Sequence, residues 1–87
     1  MLARRGDPDA GAVLVKINLL GAGFRVLVRV QGADGKPGWL AGTGDAPVAE
    51  ADAEAYIKRA IDRDYDLWVV EIEDKEGRTP FDEPLVT

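Results

Sequence analysis

The residues best suited to bind a ligand stand together near the start of the chain, in Arg4-Arg5-Gly6-Asp7-Pro8-Asp9. Two carboxylates flanked by glycines can hold a hard cation, or orient a phosphate-bearing ligand through nearby amides. Two adjoining arginines can bind a carboxylate or a phosphate in a bidentate way. Arg4, Arg5, Asp7 and Asp9 are therefore the candidate ligand or anion site.

The same residues also fit a purely structural role, which we favour. Asp7 and Asp9 lie in a dense cluster of turn formers, where aspartate side chains cap local amides. Two carboxylates are too few for a dedicated calcium loop. Arg4 and Arg5 are adjacent on a strand end and point to opposite faces, so one ligand cannot easily use both. We expect the arginines to pair with the aspartates, and we expect no metal or cofactor site.

Two rows of charged residues form a second candidate. Glu71 and Glu73 share one face of the last predicted strand, at the spacing of a carboxylate pair for acid–base work. Arg25 and Arg29 form a basic row on an earlier strand. If these strands are neighbours, the rows make cross-strand ion pairs on the outer face of the sheet, each worth a few tenths of a kcal/mol. No nucleophile or histidine accompanies either row, so we favour ion pairing and predict no catalytic residue.

Composition narrows the function further. The chain of 87 residues has no cysteine and no histidine, which excludes thiolate chemistry and removes the commonest general base and metal ligand. This favours a non-enzyme. The net charge of −5 argues against nucleic-acid binding, and the row of Lys16, Arg25 and Arg29 is interrupted by apolar residues. No apolar run reaches the length of a membrane span, so we expect a cytoplasmic protein that binds no membrane.

The pattern of apolar residues predicts two strands at the start of a sheet. Residues 12–19 and 24–31 alternate with period two, and their apolar positions are Val13, Val15, Ile17, Leu19, Phe24, Val26, Val28 and Val30. A four-residue loop over 20–23 would place Leu19 opposite Phe24 and Val13 opposite Val30. This register sets apolar residues against apolar residues.

The remaining elements complete an α+β fold. Asp34-Gly35 predicts a tight turn into a strand over 37–43, with Trp39 opposite Val30. Pro37 suits an edge strand or a strand start, because proline donates no ladder hydrogen bond. The period changes to that of an amphipathic helix over 49–64, and alternation returns over 67–74.

We therefore predict an antiparallel sheet in the order β-β-β-α-β, with one amphipathic helix packed on one face. Residues 2–5 would add a short N-terminal strand. One domain should span residues 1–87. The tail from about residue 79 should be loosely ordered, because its two prolines make it poor at continuing a sheet.

Two stretches resemble the signatures of a bacterial family of small proteins of unknown function. They are Arg-Arg-Gly-Asp-Pro-Asp-Ala-Gly-Ala over 4–12 and Asp-Leu-Trp-Val-Val-Glu-Ile-Glu-Asp over 66–74. Tyr65 departs from the proline expected before the second stretch. Members usually carry a further N-terminal helix and strand, so the resemblance implies a shortened form or a start placed downstream of the natural one. It implies a fold and a bacterial cytoplasmic origin, but no activity.

Two functions remain after these exclusions. The first is a small non-catalytic binding or protein-interaction domain that forms a homodimer, or binds an unknown protein partner, through its outer sheet face or an edge strand. The alternative is an accessory domain that binds a phosphorylated or carboxylated metabolite near Arg4, Arg5, Asp7 and Asp9.

Overall fold

A computed structural model describes residues 2–6, 12–31 and 34–77. Its elements in chain order are β1 Leu2–Arg4, β2 Val13–Asn18, β3 Phe24–Gln31, β4 Pro37–Ala41, α1 Glu50–Arg63 and β5 Trp68–Glu73. These bounds agree with the predicted elements to within one residue, except that β4 ends two residues early, at Ala41. Asp7, Asp9 and the tail from residue 79 lie outside the described residues.

The five strands form one sheet in the order β1-β5-β2-β3-β4. Three of the four pairings are antiparallel, and the fourth joins β2 and β5 in parallel. Over the described residues, this confirms the α+β class, the short N-terminal strand and one helix on one face of the sheet. The parallel pairing needs a crossover, and α1 provides it by carrying the chain from β4 across β3 and β2 to β5.

The predicted register of β2 and β3 is wrong by one residue. Asn18, and not Leu19, lies opposite Phe24, and Ile17 lies opposite Arg25. The loop therefore runs over residues 19–23, where the Leu19 amide donates to the Gly23 carbonyl at 2.9 Å. Leu20 takes a left-handed conformation with φ 56°, which leucine rarely adopts, so turn rules did not indicate this loop. Trp39 likewise lies opposite Arg29 instead of Val30.

The physical reason for the error is that both faces of the sheet are apolar. On the helix face, Leu14, Val26 and Val69 pack with α1. The second face carries its own buried cluster of Val15, Ile17, Leu19, Leu27 and Trp39. A strand that is apolar on both sides loses the pattern that normally specifies register, so the loop conformation decides it.

Helix α1 is fixed at both ends and along one side. Its first turn is acidic and its last turn contains Arg63, as the helix dipole favours. The Asp64 amide donates to the carbonyls of Ala60 and Ile61 and ends the helix. The Tyr56 ring packs so closely on Gly42 that a Cβ atom there would lie 2.6 Å from it. This contact sets one side of α1 toward the end of β4.

Gly6 anchors the N-terminal strand to the start of β5. A Cβ atom at this position would lie 1.9 Å from the Asp66 carbonyl oxygen and 2.6 Å from Trp68 Cδ1. Because the nearer atom is main chain, no rotamer change can relieve the overlap. Glycine is required here by the close approach of two segments.

We expect Gly6→Ala to detach β1 from β5 and to lower the free energy of unfolding by about 1–3 kcal/mol, the usual range for overpacking. Hydrogen exchange should show faster exchange of the β1 amides, and urea denaturation should give the loss of stability. Gly21→Ala is the comparison for the exchange of β1: its side chain would meet nothing within 4 Å, and the strain of alanine at φ 113° falls on the loop over 19–23, so the β1 amides should exchange as in the wild type. Unchanged exchange in β1 of Gly6→Ala would contradict the anchoring role.

Candidate functional site

Lys16 is the one charged residue buried in the core among those that the structure describes. Its side chain is 4% exposed, and its Nζ donates to Glu50 Oε2 at 2.9 Å and to Glu54 Oε1. Glu71, which lies beside it on β5, is 3.7 Å away. The ring of Phe24 lies 4.9 Å from the ammonium. Lys16 therefore ties β2 to the first two turns of α1 and to β5.

The carboxylates keep Lys16 charged. Burial by itself lowers the pKa of this ammonium, but the hydrogen bonds that it donates to Glu54 and Glu50 outweigh burial, and the pKa is raised above the ordinary 10.5. A protonated amine has no lone pair, so Lys16 serves neither as a nucleophile nor as a general base. The cluster is a structural ion-pair network. A lone lysine in an apolar strand was the sequence signal for it.

The two predicted charge rows do not face one another. Arg25 and Arg29 project on the second face of the sheet, whereas Glu71 and Glu73 project on the helix face. In addition, β2 separates their strands. The predicted cross-strand ion pairs are therefore wrong, because both the register and the strand order differ from those assumed.

Each arginine has another contact instead. The Arg25 Nη2 group donates a hydrogen bond to the Gly44 carbonyl oxygen at 3.5 Å. The Arg29 guanidinium lies 5.9 Å from the centroid of the Trp39 ring. Lys16, which the sequence pattern placed in the same outward row, lies on the opposite face under α1.

Arg4 and Arg5 both contact the β5 segment, by different means. Arg4 Nη1 donates to the Leu67 carbonyl at 2.9 Å, and the Arg5 guanidinium lies 6.0 Å from the centroid of the Trp68 ring. Their proposed partners Asp7 and Asp9 are outside the described residues, so a shared ligand for the four side chains stays a prediction. Within 2–6, 12–31 and 34–77, no group of three or more acidic, histidine or cysteine residues is placed to hold a metal ion.

Strand β4 forms one edge of the sheet, as Pro37 indicated. It is five residues long and carries no charged residue, and its Leu40 side chain is 40% exposed. The opposite edge strand β1 has three residues and an irregular register with β5. Proteins usually protect sheet edges with charges, prolines, bulges or short strands. Strand β1 has three of these features, namely its short length, its irregular register and the charge of Arg4, whereas β4 has only the proline at its start.

Beside β4, the helix face of the sheet is only partly covered. Leu40 is opposite Val28, so both side chains point to the helix face, and Leu40 stays exposed. The Tyr56 ring of α1 packs on Gly42, directly after β4. We call the surface formed by Val28, Leu40 and Tyr56 the β4 cleft. On α1, Arg59, Asp62 and Arg63 line a depression of about 340 Å³.

Sequence reasoning placed Arg59 and Arg63 only on the polar surface of the helix and did not single out Leu40. The uncharged strand after Pro37 was a usable signal for the edge. Which side of the helix faces that edge depends on a tertiary contact, and the sequence contains no signal for it.

Residues 1–82 match the family model described as "Protein of unknown function (DUF1491)". The chain belongs to the DUF1491 family. This confirms the resemblance seen in the two sequence stretches.

Solved structures agree with the family assignment. The crystal structure of a DUF1491 family protein from Caulobacter crescentus CB15 is 39% identical, with a TM-score of 0.82 over 99% of this chain and 79% of that one. An NMR structure of a DUF1491 family protein from the same organism gives 39% identity and a TM-score of 0.81, over 100% and 78% of the two chains. The solution structure of Atu0922 from A. tumefaciens shares the fold at 23% identity and a TM-score of 0.70, over 84% and 67%. No curated protein matches.

Among the described residues, no helix combines the length and the apolar character that crossing a bilayer requires.

The Lys16 cluster predicts a loss of stability at alkaline pH. Since the pKa of Lys16 is raised in the folded state, its contribution is complete below 10.5 and is lost as the pH rises through the folded-state pKa. We expect urea denaturation between about pH 8 and pH 12 to show a steeper decline for the wild type than for Lys16→Met, which keeps the side-chain length without the charge. Parallel declines in the two proteins would contradict this account.

Proposed function

We propose that this chain is a non-catalytic protein-interaction domain that binds an extended segment of another polypeptide along the edge of β4. The observation that carries the proposal is an edge strand without charges, in which Leu40 is exposed on the helix face. An edge strand offers its main chain to a further strand, and neighbouring pockets for alternate side chains then supply specificity.

The main-chain geometry of β4 supports this mode of binding. The Gly42 amide donates to the Val26 carbonyl at 2.9 Å, continuing the ladder between β4 and β3. In an antiparallel pair, alternate residues direct their amides toward the partner strand and away from it. The Ala41 amide therefore points toward the open edge. A bound segment would extend the sheet by one strand and place alternate side chains in the β4 cleft.

Other surfaces receive less support as binding sites. Strand β1 is too short and too irregular to accept a strand of comparable length. Arg4 and Arg5 already contact Leu67 and Trp68, which favours the β4 edge over the metabolite alternative. The predicted homodimer would use the same edge, with the β4 strands of two copies paired antiparallel about a two-fold axis.

Selection of extended peptides from a display library tests the proposal. We expect peptides that bind the wild type and lose at least about tenfold in affinity against Leu40→Lys, because a lysine on an edge strand opposes strand addition. Fluorescence anisotropy gives the dissociation constants, and circular dichroism checks that each variant is folded.

Leu2→Lys is the matched control, since it places the same charge at the opposite edge on a residue that is 50% exposed. It should bind the selected peptides as the wild type does. The proposal is wrong if no peptide is selected, or if the selected peptides bind Leu40→Lys and the wild type equally well.

A further inference from the structure

The second face of the sheet, opposite α1, is deeply buried over its central strands. Val15 and Ile17 are 0% exposed, and Trp39 is 1% exposed. The described residues place α1 on the other face and provide no helix or further sheet over this one. Side chains at the middle of a sheet face become this inaccessible only when another layer of chain packs on them.

The covering layer belongs to this chain. The burial is that of a single copy, so neither a second copy nor another protein supplies the layer. Residues 7–11 are held at both ends beside the start of β5, and residues 32–33 have to join the neighbouring strands β3 and β4. Residues 78–87 form a longer stretch that is tied to the sheet only at its beginning.

The end of the described chain leads residues 78–87 onto the second face. After β5 the chain turns, and the Gly77 amide donates to the Asp74 carbonyl at 3.0 Å. A Cβ atom at Gly77 would lie 3.2 Å from Leu19 Cδ2. Leu19 is a member of the buried cluster on the second face. Residues 78–87 therefore start beside the cluster that needs a cover.

We propose that residues 78–87 lie across the second face as a fixed layer and cover its buried cluster. Half of this segment is apolar, namely Pro80, Phe81, Pro84, Leu85 and Val86. Its prolines make it a poor strand, but a layer that crosses a sheet face forms no ladder hydrogen bonds and tolerates residues without an amide. The loose order expected from the prolines alone is thereby replaced. This inference does not depend on the binding of a partner at β4.

The length of the segment matches the distance that it has to span. Leu19 follows the end of β2, whereas Arg29 and Trp39 pair beside its start. The two points are about 20 Å apart along the strands and one or two strand spacings of about 4.8 Å apart across them. About six or seven extended residues bridge this distance. The segment thus brings Phe81 over the middle of β2 and Leu85 close to Trp39.

Charge complementarity also favours this segment as the cover. Within the described strands β2 to β5, the charged residues of the second face are Arg25 and Arg29. The segment carries Asp82 and Glu83 between its apolar residues. Six extended residues bring these carboxylates level with Arg29, whose guanidinium lies 5.9 Å from the centroid of the Trp39 ring. An arginine at this place can bind a carboxylate while it stays against the tryptophan.

Nuclear Overhauser effects in the isotope-labelled full chain test the placement. We expect contacts from the Phe81 ring to the methyl groups of Val15 and from Leu85 to the Trp39 indole. A mixture of labelled and unlabelled chains should show none of them between copies. Phe81 contacts on the helix face, or no Phe81 contact with the sheet, would overturn the proposal. Contacts found only between copies would overturn it as well, because a second copy would then be the cover.

Phe81→Ala tests whether the layer contributes to the fold. Loss of a buried aromatic ring should lower the melting temperature by at least about 10 °C. The Trp39 Nε1 proton should also exchange faster with water. The nuclear Overhauser effects are measured on the wild type, so they decide the placement even where this variant does not fold.

Tyr65→Ala is the matched control, because it removes an aromatic ring that is 77% exposed. It should change the melting temperature by less than about 4 °C and leave exchange at the Trp39 indole as in the wild type. Equal melting temperatures of Phe81→Ala and Tyr65→Ala would overturn the proposal.

Discussion

The parallel pairing of β2 with β5 at the centre of the sheet is the contact on which the rest of the structure depends. Parallel neighbours cannot be joined by a tight turn, so the chain must cross the sheet between β4 and β5. Helix α1 makes this crossing and covers one face. Strand β2 is consequently buried on both sides, and Lys16 loses its access to water. A buried ammonium requires carboxylates around it, and α1 and β5 provide them.

The same crossover creates the β4 edge and its cleft. Because α1 starts from the β4 side and ends at β5, its two flanks meet different surroundings. One flank faces Lys16 and carries Glu50 and Glu54, whereas the other carries Tyr56, whose ring packs on Gly42. The first flank supplies the carboxylates that the buried ammonium requires, and the second holds the helix beside the end of β4.

Local periodicity was sufficient to predict which residues form strands and which form the helix. Those patterns depend on neighbours along the chain, so α1 and the strands agree with expectation to within one residue, apart from β4, which ends two residues early. The register of β2 and β3 could not be predicted in this way, because β2 is apolar on both faces and Leu20 in the loop over 19–23 takes a conformation that is unusual for leucine. The charge rows were predicted wrongly for related reasons. The face on which Arg25 lies depends on the register of β2 and β3, and the strand that lies beside β5 depends on the strand order.

The two stretches that resemble the family explain the fold more than the function. They lie side by side, because Arg4 donates to the Leu67 carbonyl and Gly6 packs on Asp66. Their interactions hold β1 against β5 at one edge of the sheet. Leu40 belongs to neither stretch and lies on the strand at the opposite edge. The residues that fix the sheet are thus separate from those that would contact a partner. The β4 cleft can therefore change its charge or shape without disturbing β1, and this separation is what a binding domain needs if its specificity is to vary on a constant fold.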